Sequence, residues 1–192
     1  MIAILKYNAG NILSVKNALK RLGYQSVITD DIATIRAAEK VIFPGVGEAS
    51  TAMNYLNEKG LDEVITSLSQ PFLGICLGLQ LMCKSTEEGK TKCLGIFDTD
   101  VELFPPLEKV PHMGWNSFTS LKGNLFKGVN ENDNVYYVHS YYAKKCDDTI
   151  ATCDYIKPFS AALQKNNFYA TQFHPEKSAK IGEQILKNFL QL

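Results

Sequence analysis

The spacing of apolar and polar residues changes period several times along the chain. Residues 2–7 form a short apolar run of strand type, followed by a turn at Gly10 and Asn11. Ile12, Val15, Leu19 and Leu22 then recur at helical spacing up to Gly23, a helix stop. Residues 26–29 predict a second strand. Residues 41–43 predict a third, which ends abruptly at Pro44-Gly45-Val46-Gly47. The stretch 49–68 reads as largely helical. Residues 72–75 predict a fourth strand, and Leu77, Leu81 and Met82 follow it at helical spacing. This strand–helix–strand order predicts a parallel sheet with helices on both faces. The second half is richer in strands, at 135–138, 150–155, 159–163 and 168–173, with a hairpin signal at Gln164-Lys165-Asn166-Asn167. Ser178 is the expected cap of a last amphipathic helix bearing Ile181, Ile185, Leu186 and Phe189. The expectation is an α/β protein: one three-layer domain over 1–192 with a mixed, mostly parallel sheet.

Composition narrows the function classes. The 192 residues are 45% hydrophobic and 21% charged, enough for one core and too few for two comfortable domains. Twenty basic residues balance twenty acidic ones, so neither a nucleic acid nor an anionic membrane has an electrostatic driving force to bind. The opening residues lack the basic start, long apolar core and cleavage site of a signal peptide. No apolar run approaches the roughly 20 residues that span a bilayer. The expected location is the cytoplasm. The five cysteines, Cys76, Cys83, Cys93, Cys146 and Cys153, are odd in number, irregularly spaced and free of any Cys-x-x-Cys pair. Neither a disulfide framework nor, with His112, His139 and His174 so far apart, a structural zinc site is expected.

One cysteine stands apart. Gly74-Ile75-Cys76-Leu77-Gly78 follows a buried strand and opens a helix, the Gly-x-nucleophile-x-Gly pattern of a sharp strand-to-helix turn. A free cysteine is ordinarily an inert core residue, and Cys83 is read that way. The glycines change the reading of Cys76, because a β-carbon on either side would crowd so tight a turn. The turn projects Cys76 at the carboxyl end of the sheet, beside a helix start that favours the thiolate. Near the other end of the chain stands Phe173-His174-Pro175-Glu176. A thiolate needs a base, and the base needs a carboxylate to fix its tautomer; His174 and Glu176 supply both. Alone, His-Pro-Glu reads as a solvated surface turn; behind a strand, in a chain with a nucleophile turn, it reads as a base and its orienter. His139 lies within a strand and is the lesser candidate for the base. A cysteine peptidase of similar fold would share Cys76 and His174, and a degenerate binding subunit would share the fold.

Gly-Ile-Cys-Leu-Gly with Gln80, Pro44-Gly45-Val46-Gly47 and Phe-His-Pro-Glu resemble, in order, the motifs of the class I glutamine amidotransferases. Tyr7-Asn8-Ala9-Gly10-Asn11, Pro111-His112-Met113-Gly114-Trp115-Asn116, Val138-His139-Ser140-Tyr141 and Phe173 through Ser178 are most similar to the glutaminase subunits of imidazole glycerol phosphate synthases. The resemblance implies a Cys76-His174-Glu176 triad, release of ammonia from L-glutamine and no cofactor. It implies an oxyanion hole of the Leu77 N–H and an N–H at Val46 or Gly47, and glutamine contacts from Gly45, Gln80, Ser140 and Tyr141. It implies a (β/α)8-barrel cyclase partner in histidine biosynthesis, faced by Asn11, Trp115, Asn116, Tyr136 and Lys177. Glutaminases that feed purine, anthranilate or pyridoxal phosphate synthases are the rivals.

Overall fold

The computed structural model describes residues 1–7 and 11–192. The first part of the expected turn, Asn8 to Gly10, lies outside the described residues. In chain order the elements are β1 (Ile2–Leu5), α1 (Ile12–Arg21), β2 (Ser26–Thr29), α2 (Ile32–Ala37), β3 (Lys40–Phe43), α3 (Ala49–Glu58), α4 (Leu61–Ser67), β4 (Phe72–Ile75) and α5 (Leu77–Met82). Then come β5 (Ser85–Thr86), β6 (Thr91–Lys92), β7 (Asp100–Leu103), β8 (His112–Asn116), β9 (Ser120–Leu121) and β10 (Val135–His139). The chain finishes with β11 (Tyr141–Ala143), β12 (Thr149–Tyr155), β13 (Lys157–Lys165), β14 (Phe168–Thr171) and α6 (Ala179–Leu190).

An 8-stranded sheet in the order β2-β1-β3-β4-β14-β13-β12-β9 forms the middle layer. The pairs from β2 through β14 are parallel; those from β14 to β9 are antiparallel. Alternate residues of each strand feed two apolar clusters, one per face. Ala3, Leu5, Val41, Phe43 and Phe72 join α3, α4 and α5 on one side. Ile2, Ile4, Ile42, Leu73 and Ile75 join α1 and α6 on the other. This is the expected three-layer arrangement. A two-stranded sheet, β10-β8, and a four-stranded one, β11-β7-β5-β6, stand beside it.

Three details depart from the expectations. The helical stretch 49–68 is two helices, because Gly60 takes φ 64 and breaks the hydrogen-bond ladder between α3 and α4. The strand expected over 168–173 ends at Thr171, releasing Gln172, Phe173 and His174 from regular pairing. Ser178 precedes α6, but its side chain makes no capping bond. Its hydroxyl donates to the His174 carbonyl (2.7 Å) and accepts the Tyr136 N–H (2.9 Å), fastening the end of the central sheet to β10.

Candidate active site

Cys76 sits between β4 and α5 at φ 53, ψ −106, a left-handed position that is strained for a residue with a β-carbon. Flanking glycines make this turn feasible. A β-carbon on Gly78 would meet the Phe43 carbonyl oxygen at 2.1 Å, and one on Gly74 would meet the Met82 sulfur at 2.5 Å. The Cys76 N–H is tied to the Thr171 carbonyl of the neighbouring parallel strand at 2.8 Å. In that register Thr171 pairs with Ile75, so β4 and β14 end together and deliver Cys76 and His174 to the same edge of the sheet. α5 runs for only six residues, all buried, and Cys83 lies just past it as core.

His174 is wholly buried, its N–H bonded to the Tyr136 carbonyl at 2.9 Å. Its Nδ1 meets Glu176 Oε1 at 2.9 Å. Its Nε2 is buried with no protein partner in hydrogen-bond geometry, as is Glu176 Oε2. Burial pulls the imidazole pKa down. The negative charge of Cys76, followed by Glu176, outweighs that pull and pushes the pKa up to about 10. Glu176 sits in a single 3-10 turn, Pro175–Lys177, which the proline starts.

Asn11, read from the sequence as partner-facing, is half-buried, and its side-chain nitrogen donates inward to Glu176 Oε1, the oxygen that His174 uses. The side chain reaches there from a left-handed backbone, φ 69, at the start of α1. Trp115 and Tyr136 do lie side by side on the outer two-stranded sheet, their rings edge to face at 5.9 Å, with Trp115 55% exposed. Asn116 is half-buried and Lys177 exposed on the same side of the molecule as the His174 turn.

A cleft of about 270 Å³ opens on the Cys76 sulfur. Gly47, Gln80, Ser140 and Tyr141, all singled out in the sequence, line it; Gly45 and Val46 stand just before Gly47. The Leu77 N–H points at the Gly45 carbonyl, 3.4 Å away. Because a trans peptide holds its C=O and N–H in opposite directions, the Val46 N–H faces away from Leu77 in this conformer. Gly47, at φ 136, is the residue that lets this loop turn.

Two site residues escaped the sequence reading. Gln172 is fully buried; its Nε2 donates to Cys76 Sγ at 3.7 Å and its Oε1 accepts from Gln80 Nε2 at 3.2 Å. Its place two residues before His174, on the same face of an extended segment, was a usable signal. Glu88 also lines the cleft and accepts the Ala49 N–H at 2.9 Å; burial pushes its carboxyl pKa up. Nothing local in Glu87-Glu88-Gly89 marks it.

The glutamine amidotransferase class-I family model matches residues 4–192. The chain belongs to the class I glutamine amidotransferases. This amidotransferase is 62% identical over 194 residues to the imidazole glycerol phosphate synthase subunit HisH of Bacteroides fragilis YCH46, covering 100% of this chain and 99% of that one. It is 47% identical over 192 residues to the subunit HisH of Pasteurella multocida, covering 99% and 97%. Among solved structures it superimposes on a glutamine amidotransferase (TM-score 0.77, 18% identity, 99% and 97% covered) and on PurLQS from Thermotoga maritima (TM-score 0.73, 14% identity, 99% and 97% covered). At those identities the structural matches speak for the fold alone. The amidotransferase is thus an enzyme with glutaminase activity, and a peptidase or an inert binding subunit no longer fits. None of its described helices is long and apolar enough to cross a membrane.

Proposed function

We propose that this enzyme is the glutaminase subunit of an imidazole glycerol phosphate synthase, with Cys76, His174 and Glu176 as its triad. The observation that carries the triad is the buried His174–Glu176 pair standing against Cys76 where two adjacent parallel strands end. Full-length similarity to the HisH subunits supports the choice of synthase.

In this reading the Cys76 thiolate attacks the side-chain amide carbon of L-glutamine in the cleft. Glu88 offers its carboxylate to the substrate ammonium, while Gln80, Ser140 and Tyr141 wall the cleft. The oxyanion is met by the Leu77 N–H once the Gly45–Val46 peptide has rotated, which frees that donor and swings the Val46 N–H inward. His174 hands its proton to the departing ammonia, then takes one from the water that cleaves the glutamyl thioester. Glu176, steadied by Asn11, holds His174 in the one orientation that serves both steps. The ammonia enters a (β/α)8-barrel cyclase, which docks over Trp115, Asn116, Tyr136 and Lys177 and forms imidazole glycerol phosphate and AICAR for histidine biosynthesis. In the free chain the turned-away peptide keeps hydrolysis low; docking of the cyclase selects the rotated conformer.

The test is glutamine hydrolysis by the purified chain with and without a cognate cyclase and its nucleotide ligand. Stimulation lost in Cys76→Ala supports triad and partner together. Cys76-dependent hydrolysis that no histidine-pathway cyclase stimulates moves the chain to another synthase.

A further inference from the structure

Two buried histidines remain outside the triad chemistry. His112 on β8 is 4% exposed and His139 on β10 is 5% exposed. His112 Nδ1 lies 3.0 Å from His139 Nε2. The tautomers of both rings follow from their partners. His139 Nδ1 is 2.7 Å from the Tyr141 carbonyl oxygen, which can only accept, so the proton is on Nδ1. Nε2 of a neutral His139 is therefore an acceptor, and His112 Nδ1 must be the donor that meets it. His112 Nε2 is then also an acceptor, met by Asn116 Nδ2 at 3.4 Å. The Asn116 amide cannot be reversed, since its Nδ2 donates to the Asp154 carbonyl at 3.0 Å and its Oδ1 accepts the Ser117 N–H at 2.8 Å.

The order continues into the active site. The Tyr141 carbonyl also accepts Gln80 Nε2 at 3.0 Å. The same nitrogen donates to Gln172 Oε1, which turns Gln172 Nε2 toward the Cys76 sulfur. A line of hydrogen bonds thus runs from Asn116, on the half-exposed outer sheet, to the nucleophile, with the Tyr141 carbonyl accepting from His139 on one side and Gln80 on the other. Aromatic packing holds the rings in place: His112 lies flat between Tyr155 (4.0 Å, 12°) and Tyr137 (4.9 Å, 22°). Burial keeps both rings uncharged, pulling the His112 pKa down to about 4 and the His139 pKa to about 3. Since the Nε2 lone pair of His139 is already used, His139 cannot serve as a base for Cys76 even though it lines the cleft.

We infer that the His112–His139 pair is a positioning device for Cys76: it fixes the Tyr141 carbonyl, and through Gln80 it aims the Gln172 amide that stabilises the thiolate. The inference rests on Cys76 being the nucleophile. It makes the Asn116 end of β8 a place from which the reactivity of the sulfur can be altered by changing hydrogen-bond polarity alone.

The experiment is alkylation of the full chain by iodoacetamide across pH, with Cys76 followed by peptide mass spectrometry so that the other cysteines do not interfere. His112→Phe keeps the ring between its tyrosines and removes both nitrogens. His112→Asn returns a donor close to the Nδ1 position. Asn116→Asp puts an oxygen against the His112 Nε2 lone pair; the ring moves its proton to Nε2, and His139 must then give up the Tyr141 bond. The expected result is a Cys76 profile shifted upward by about one pH unit, or alkylation about tenfold slower at neutral pH, in His112→Phe and Asn116→Asp, with His112→Asn close to wild type. A wild-type profile in folded Asn116→Asp and His112→Phe overturns the inference. Asn116 is half-exposed, so Asn116→Asp decides the matter if His112→Phe does not fold. Glutamine hydrolysis surviving in Cys76→Ala would instead remove the nucleophile assignment and leave the labelling result standing.

Discussion

His174 carries a pH dependence whose direction can be fixed in advance. Its pKa in the folded enzyme, about 10, exceeds the free value of 6.5, so it contributes stability that is fully present below 6.5 and is lost as pH climbs through about 10. Urea unfolding of wild type and His174→Gln should therefore show a stability gap that is widest near pH 6 and narrows toward pH 10. A gap independent of pH would mean that the imidazole titrates in the fold as it does in the unfolded chain. Asn11 invites a second test. Because it occupies a left-handed backbone position, Asn11→Gly removes the amide without straining the turn. The loss of one hydrogen bond to a charged carboxylate predicts a fall in kcat of about tenfold or more, with KM nearly unchanged. A purely partner-facing Asn11 would leave cyclase-free kcat as it was. Neither this role of Asn11 nor that of Gln172 was fully legible in the sequence. Asn11 and Glu176 are 165 positions apart, Gln172 and Cys76 are 96 apart, and only the closed sheet brings them together.

At the scale of elements, what could be read was what local chemistry dictates. The tight turn at Cys76 was legible because its glycines are demanded within five residues; β4 followed because a short, wholly apolar run between turns has no other use in this fold. The two-residue strands β5, β6 and β9 were not legible, since strands that short are defined by their neighbours and carry no period. α2 was missed although Asp31 caps it on Thr34, because six residues are too few to show a stripe. Ser178 shows the converse: its sequence position is that of a cap, but its hydroxyl is already spent on β10 and the His174 turn. Ser178→Ala takes the partner from the part-buried Tyr136 N–H, and denaturant unfolding should report a loss of about 1 kcal/mol or more. Activity should fall with it, because the same hydroxyl holds the backbone of the base. Full stability in Ser178→Ala would show that the two elements are held by packing alone.

The whole molecule places Cys76, His174 and the Trp115–Tyr136 pair on one side. Trp115 and Tyr136 meet edge to face across β8 and β10, and Tyr136 gives its carbonyl to the His174 N–H. A surface this close to His174 can act on it. Trp115→Ala should weaken binding of the cyclase by about 2 kcal/mol or more, as aromatic anchors commonly do, while the melting temperature of the free chain stays near wild type. Unchanged affinity would relocate the docking surface.

Strand β14 is made after β4 and after the outer sheets, yet it lies inside the central sheet, between β4 and β13. During translation, β4 therefore waits with an open, wholly apolar edge that nothing made so far can cover, the condition under which chains pair with one another. A chain stopped before residue 168 should accumulate in aggregates or bound to chaperones. The same order of synthesis also keeps Cys76 away from His174 until β14 has joined the sheet, so on the proposed mechanism a polypeptide cut short before that point has no means of squandering the cell's glutamine.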